Sequence, residues 1–217
     1  MASVNEAARI RAIAFDLDGT LLDTGTVVPD SYIAVVRELG GPAVTRPEVV
    51  AAYHAGAAGA VIAELLGSKP PVDAVARYLI ELERRADAVS LYPGMRAVVE
   101  KLAERLPLAV YTGASARACA VLLDRTGLRR FFSVVVGGDE VERPKPDPEG
   151  LRVVADRLGL ATEQLAYVGD AARDAGAARA CGALPIVASW GHEYAPPIDD
   201  AIVVAAPEDL VRALGQC

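Results

Sequence analysis

The stretch RAIAFDLDGTLLDT, residues 11–24, decides the fold of this chain. An apolar run ends at Phe15, and two aspartates, Asp16 and Asp18, follow it one residue apart. A short apolar run without clean alternation is typical of a strand that is covered on both faces. The two carboxylates are therefore predicted to stand where a buried strand meets its first loop.

Taken alone, the aspartate pair is most simply a turn, because Asp and Gly favour turn geometry. A calcium-binding loop counted from Asp16 is excluded. Its sixth position would be Leu21 rather than glycine, and its twelfth would be Val27 rather than glutamate. A chemical role for Asp16 and Asp18 thus depends on the residues that the rest of the fold places beside them.

Alternating strand and helix patterns define the rest of the predicted core. Five more apolar runs resemble residues 11–15, namely 107–111, 133–137, 165–169, 184–188 and 201–205. Apolar residues recur at helical spacing between them, in segments 95–106, 115–128, 148–160 and 170–182. Repeated strand–helix units predict an α/β fold with a doubly wound, Rossmann-like parallel sheet.

The segment after the first strand has a different pattern. Residues 29–41, 46–67 and 70–90 are each predicted to be helical, and no convincing strand lies between them. We therefore expect a helical cap of residues 23–91 inserted into the core. The Rossmann-like core would comprise residues 1–22 and 92–217.

Composition limits the possible partners. The chain has 217 residues, of which 53% are hydrophobic, and its net charge is −7. An acidic chain is a poor nucleic-acid binder, because phosphate contacts need a basic face. No apolar run approaches the roughly 18 residues of a membrane span, and no signal-peptide pattern opens the chain. We expect a cytoplasmic protein with no membrane partner, and the sequence leaves monomer and dimer both open.

Polar side chains follow four of the predicted strands. Ligands of an open parallel sheet bind outside the carboxyl ends of its strands, so these residues are predicted to share one crevice. Individually, Thr112 and Asp170 would serve as helix N-caps, and Lys145 as a surface lysine. Their occurrence at four successive strand ends favours a common site. The set is Asp16 and Asp18, Thr112 and Gly113, Lys145, and Asp170 with Asp174 one helical turn later.

This set suits phosphoryl transfer. Crowded carboxylates repel one another, and a hard cation such as Mg²⁺ held by Asp16 and Asp170 would neutralise them. An ionised Asp16 can act as a nucleophile, and a second carboxyl at Asp18 can move a proton to or from the reacting oxygens. Thr112 and backbone N–H groups at a helix start can hold phosphoryl oxygens, while Lys145 can offset developing charge.

In this order, the motifs FDLDGTLLDT, YTGAS, RPKPDP and GDAARDAGAARACG resemble the four motifs of the haloacid dehalogenase-like hydrolases. The resemblance covers essentially the whole chain, including the position of the cap. GGDEVERPKPDP and the late SWG at 189–191 are most similar to the phosphoglycolate phosphatase-like branch. Thr20 after the glycine resembles the phosphatases more than the sugar-phosphate mutases.

The resemblance implies roles for single residues. Asp16 would be the nucleophile and Asp18 the general acid and base. Mg²⁺ would be held by Asp16, Asp18, Asp170 and Asp174, the last directly or through water. Thr112, Gly113 and Lys145 would bind the substrate phosphate, although Gly113 stands where many relatives carry Asn or Ser. The polar cap residues that would set specificity are Arg46, Tyr53, His54 and Lys69.

The predicted function is a Mg²⁺-dependent phosphatase that hydrolyses a small phosphorylated metabolite, phosphoglycolate-like or a sugar phosphate, through an aspartyl-phosphate. The first alternative is a phosphomutase of the β-phosphoglucomutase type, which moves the phosphate instead of releasing it. The second is a phosphate-sensing module without catalysis, since receiver domains also combine Asp, Thr and Lys around Mg²⁺.

Overall fold

A computed structural model describes residues 10–214, and in this range the chain forms two sheets. Six parallel strands form the main sheet in the order β5-β4-β1-β6-β7-β8, and β2 pairs with β3 in an antiparallel ribbon. The strands are β1 (Ala12–Phe15), β2 (Leu22–Asp23), β3 (Ser90–Leu91), β4 (Leu108–Tyr111), β5 (Phe132–Val136), β6 (Leu165–Gly169), β7 (Leu184–Ala188) and β8 (Ile202–Val204). All six predicted strands are confirmed, and each end lies within one residue of its predicted position.

Strand β1 lies in the middle of the main sheet because all four of its residues are apolar and fully buried. Ile13 and Phe15 face the larger apolar cluster, whereas Ala12 and Ala14 face a smaller one. Both faces of the sheet are therefore covered, as the absence of alternation in the sequence predicted.

Four helices lie between β2 and β3: α1 (Val27–Glu38), α2 (Arg46–Ala51), α3 (Ala58–Leu66) and α4 (Ala74–Arg85). The prediction of one helix over 46–67 was wrong. A 3₁₀ turn at Ala52–Ala55 follows α2, and Gly56 then adopts a φ of 90°, which breaks the helical path. The ribbon of β2 and β3 was also missed, since two-residue strands leave no periodic pattern.

Five further helices flank the main sheet: α5 (Met95–Ala103), α6 (Ala116–Arg125), α7 (Glu149–Leu158), α8 (Ala172–Cys181) and α9 (Pro207–Leu214). The first four match the predicted helices within three residues at each end, and α9 was not predicted. Helix α6 begins at Ala116 because the Ser115 hydroxyl accepts the Ala118 N–H. Helices α7 and α8 end at Gly159 and Gly182, which both adopt left-handed backbone angles.

One apolar core connects the helices between β2 and β3 to the main sheet. The larger cluster runs from Ile13 and Phe15 of β1 to Tyr78 and Leu82 of α4. Within residues 10–214, no helix combines the length and the apolar character that crossing a bilayer requires. The carboxyl ends of β1, β4 and β6 open toward these helices, which positions the site described next.

Candidate active site

The carboxyl ends of three neighbouring strands bring the predicted polar residues together. Asp16 follows β1, Thr112 follows β4 and Asp170 follows β6. Each of the three is almost completely buried. Their convergence follows from the parallel topology, because the carboxyl ends of parallel strands lie on one edge of the sheet.

Lys145 joins this group from the loop after β5. Its ammonium donates hydrogen bonds to Asp16 Oδ1 at 2.9 Å and to Asp174 Oδ1 at 2.6 Å, and it lies 3.2 Å from the Tyr167 hydroxyl. Burial by itself lowers the pKa of the Lys145 ammonium, but the carboxylates of Asp16 and Asp174 raise it above its ordinary value. Lys145 therefore stays charged between two buried carboxylates.

Three carboxylates form a group that could hold a metal ion. One oxygen from each of Asp16, Asp170 and Asp174 lies within 4.8 Å of the others. Hard oxygen donors at such spacing fit Mg²⁺, which binds through one or two carboxylates together with waters and substrate oxygens. The Asp18 side chain lies outside this group, although sequence reasoning included it among the metal ligands.

Burial dominates the electrostatics of the acidic residues. It raises the pKa of Asp16 to about 7, against the partial offset of the Lys145 charge. It raises the pKa of Asp170 to about 8, and the nearby Asp16 carboxylate adds to this rise. The pKa of Asp18 is also raised by burial. These carboxyl groups hold protons more tightly than ordinary aspartates until a cation compensates their charge.

Asp18 carries an unusual oxygen. In the described part of the chain, its Oδ1 is the one buried side-chain polar atom without a hydrogen-bond partner. Buried polar atoms are nearly always paired, so such an atom marks a place where a ligand or water binds. Asp18 also lines the cavity of the site, which places this unpaired acceptor beside the space that a substrate would occupy.

The chain after Asp18 packs tightly against Asp170. Gly19 has a φ of 77°, and a Cβ atom at this position would overlap the Asp170 carboxylate. Asp170 Oδ2 accepts the Glu193 N–H at 2.9 Å, and Oδ1 lies 3.4 Å from the Thr20 hydroxyl. A glycine at position 19 is thus needed for both backbone conformation and space.

Thr112 and Gly113 line the same cavity. The Thr112 N–H donates to the Val136 carbonyl at 3.1 Å, and its hydroxyl accepts the Ala114 N–H at 3.1 Å. A Cβ atom at Gly113 would meet nothing within 4 Å, so the glycine leaves open space where relatives are expected to carry Asn or Ser.

A cavity of about 130 Å³ separates the strand ends from the four helices between β2 and β3. Tyr53 and His54, two of the four polar residues that the sequence suggests for specificity, line it. Arg46 and Lys69 do not line it. The Arg46 guanidinium instead forms a bidentate ion pair with the Asp30 carboxylate on the exposed surface, with N–O distances of 2.7 and 2.8 Å.

Sequence reasoning missed several residues of the site. The guanidinium of Arg173 forms a bidentate ion pair with the carboxylate of Glu193, with N–O distances of 2.6 and 2.7 Å. Both residues line the cavity. The Tyr167 hydroxyl donates to the Tyr111 carbonyl at 2.8 Å beside Lys145. The position of Arg173 one residue before Asp174 was the available signal. Tyr167 lies within an apolar strand, so nothing in the sequence indicated that its hydroxyl contacts Lys145.

Comparison with known proteins agrees with this architecture. The family model of haloacid dehalogenase-like hydrolases matches residues 10–182. The phosphoglycolate phosphatase of Escherichia coli (strain K12) is 30% identical, over 98% of this chain and 95% of that protein. The phosphoglycolate phosphatase of Pseudomonas syringae pv. syringae is 34% identical, over 95% of this chain and 79% of that protein.

A solved structure shares the fold at lower identity. The crystal structure of CbbY from Rhodobacter sphaeroides in complex with phosphate superimposes with a TM-score of 0.82. The two chains are 22% identical, and the match covers 93% of this chain and 96% of CbbY.

Proposed function

Because this chain belongs to the haloacid dehalogenase-like hydrolases, in their phosphoglycolate phosphatase-like branch, we propose that it is a Mg²⁺-dependent phosphatase of small phosphorylated metabolites. Phosphoglycolate-like esters and sugar phosphates are both candidate substrates. The observation that carries the proposal is the partnerless Oδ1 of Asp18, because Asp18 lines the cavity together with Asp16.

Asp16 is the proposed nucleophile. Its carboxyl group lies at the cavity beside Lys145, whose charge lowers the pKa of Asp16 against the larger effect of burial. Attack on phosphorus forms an aspartyl-phosphate and breaks the bond to the leaving alcohol oxygen, which divides the transfer into two steps. Water then attacks the phosphorus of this intermediate, releases inorganic phosphate and restores the Asp16 carboxylate.

Asp18 is the proposed proton carrier. Its raised pKa favours the protonated form, which can donate to the leaving oxygen in the first step. The resulting carboxylate then takes a proton from the attacking water. Its Oδ1 has no hydrogen-bond partner among the described residues.

The remaining residues of the site are proposed to hold the metal ion and the phosphate. Asp16, Asp170 and Asp174 would hold Mg²⁺, with the Asp18 backbone carbonyl as a further oxygen beside them, and the ion supplies positive charge that neutralises carboxylates and phosphate. Thr112, Gly113 and Lys145 would bind the phosphoryl oxygens. We further propose that residues 23–91 act as a cap on a core of residues 1–22 and 92–217, and that closure excludes water.

Asp16→Asn tests the proposal. Phosphate release from small monoesters should require Mg²⁺ in the unchanged protein and should disappear in this variant, while circular dichroism shows an intact fold. Asp124→Asn, on the exposed surface of α6, is the matched control and should keep full activity. Persistent phosphate release by Asp16→Asn would exclude it as the nucleophile. An isomerised sugar phosphate without free phosphate would indicate a mutase.

A further inference from the structure

The cavity has two walls of different chemistry. The strand-end wall carries charged residues, whereas the opposite wall is formed by uncharged side chains of the helices and turns between β2 and β3. We name the latter the tyrosine wall, and it consists of Val28, Tyr32, Tyr53, Ala57, Tyr78 and Leu82.

Stacked rings give the tyrosine wall its shape. The Tyr32 and Tyr78 rings stack with centroids 4.2 Å apart and planes inclined by 23°. The Tyr53 ring lies 6.2 Å from that of Tyr32. Burial raises the pKa of all three hydroxyls above the ordinary value, so the wall is neutral. It therefore offers aromatic surface and hydroxyl groups to a ligand, and no charge.

The permanent cations that line the cavity already have anionic partners. Lys145 lies between Asp16 and Asp174, and both terminal nitrogens of Arg173 contact the carboxylate of Glu193. These are the only lysine and arginine among the described residues that line the cavity. A second anionic group on a substrate would find no unpaired cation there.

Histidine does not change this balance. His54 and His192 line the cavity, but both are exposed to solvent. The Nδ1 of His54 lies 2.7 Å from the Ala51 carbonyl, and its Nε2 lies 3.5 Å from Glu64 Oε2. An imidazole is not a permanent cation, and neither ring belongs to the buried part of the tyrosine wall.

From this asymmetry we propose that the substrate is a phosphate ester of a compact, uncharged alcohol with an apolar or aromatic face that packs on the tyrosine wall. Esters whose alcohol carries a carboxylate, phosphoglycolate included, are poor substrates. The inference rests on the proposed phosphatase function and narrows it. The cavity of about 130 Å³ must hold the phosphate group as well as the alcohol, which favours small alcohols.

The physical reason is desolvation. A carboxylate against the tyrosine wall would lose its water and gain no cationic partner, which is strongly unfavourable. It would also stand near the carboxylates of Asp16 and Glu193 on the opposite wall, each of which already contacts the one cation beside it. An uncharged group suffers neither penalty.

Two matched pairs of esters test the proposal on the full chain with Mg²⁺. Propyl phosphate is compared with phosphoglycolate, and phenyl phosphate with 4-carboxyphenyl phosphate. The uncharged member of each pair should have a kcat/KM at least about tenfold higher, because an unpaired buried charge is disfavoured by this much or more. Equal or faster turnover of both carboxylated esters would overturn the inference and leave the phosphatase function standing.

A substitution in the tyrosine wall gives an independent readout. Ala57→Arg adds a cation at an exposed position of the wall and should reduce both ratios by about threefold, the effect of a partly solvated ion pair. Ala60→Arg is the matched control, because Ala60 is exposed in α3, three residues after Ala57, and does not line the cavity. Unchanged ratios in Ala57→Arg would contradict the assignment of this wall as the binding surface.

Binding separates the two proposals if no ester is turned over. That result would overturn the phosphatase function, but benzylphosphonate and 4-carboxybenzylphosphonate still report on the cavity without hydrolysis. Calorimetry with Mg²⁺ should give a Kd at least about tenfold lower for benzylphosphonate. Equal values, or tighter binding of the carboxylated compound, would overturn the inference.

Discussion

The ammonium nitrogen of Lys145 lies 2.9 Å from Oδ1 of Asp16, although 129 positions separate the two residues in the chain. The same nitrogen is 2.6 Å from Asp174. One buried cation therefore serves two carboxylates, and Asp170 stands beside them without a cation of its own in the described residues. The site is left with an excess of negative charge that a divalent cation would compensate.

Lys145→Met should affect both activity and stability. Two buried carboxylates would lose their cation, so we expect the free energy of unfolding in EDTA to fall by about 3 kcal/mol. Loss of charge beside the phosphate should lower kcat at least about 100-fold. Urea unfolding and phosphate release measure the two effects. Lys101→Met, on the exposed face of α5, is the control and should change neither. Unaltered kcat in Lys145→Met would contradict the proposed role.

The acidic group should make the metal-free protein less stable as pH rises. Burial raises the pKa of Asp16 to about 7 and that of Asp170 to about 8, from an ordinary 3.8. The folded state therefore binds these protons more tightly than the unfolded chain does. Their stabilising contribution is complete below pH 4 and is lost as pH rises to about 8, by at most about 1.4 kcal/mol per pH unit and proton.

Urea unfolding in EDTA at pH values from 5 to 8 measures this decline. Asp170→Asn removes one of the titrating groups, so the decline in stability of this variant should be shallower. Added Mg²⁺ should offset the loss, because a cation stabilises the ionised carboxylates. An unfolding free energy that rises with pH in EDTA, or that does not change when Mg²⁺ is added, would contradict the raised pKa values of the acidic group.

Two glycines with the same backbone angle separate strain from crowding. Gly19 and Gly40 have φ values of 77° and 74°, but a Cβ at Gly19 would overlap Asp170, whereas nothing lies within 4 Å of one at Gly40. Gly40→Ala should cost about 1 kcal/mol of unfolding free energy, from the left-handed conformation alone. Gly19→Ala should cost more and should also weaken Mg²⁺-dependent turnover. If Gly19→Ala and Gly40→Ala changed the unfolding free energy and the turnover equally, the crowding argument would be refuted.

The fold and the strand-end residues were predictable because they depend on local patterns and on one topological rule. Short apolar runs fixed the strands, and parallel strands place their carboxyl ends together, which brought Asp16, Thr112 and Asp170 to one edge. Helix α9 and the β2–β3 ribbon were not predicted, since elements of eight and two residues show little hydrophobic periodicity. The break at Gly56 depends on its backbone angle, which cannot be predicted from a single glycine among many alanines.

The cavity walls were not predictable in the same way. Tyr32, Tyr53 and Tyr78 lie on three separate elements, and only the packing of those elements stacks their rings. Arg46 was a reasonable specificity candidate by charge. Its ion pair with Asp30 depends on how α1 and α2 meet, which no spacing in the sequence encodes.

Tyr167→Phe should reveal a positioning role. The Tyr167 hydroxyl donates to the Tyr111 carbonyl and lies 3.2 Å from the Lys145 nitrogen. Its removal should cost about 2 kcal/mol of unfolding free energy, since the buried hydrogen bonds to the Tyr111 carbonyl and from Lys145 are both lost. Because Lys145 keeps its carboxylate partners but loses a constraint on its position, kcat should fall several-fold with KM nearly unchanged. Tyr194→Phe, at a half-buried tyrosine outside the cavity lining, is the control. An unchanged kcat in a destabilised Tyr167→Phe protein would limit this hydroxyl to a structural contribution.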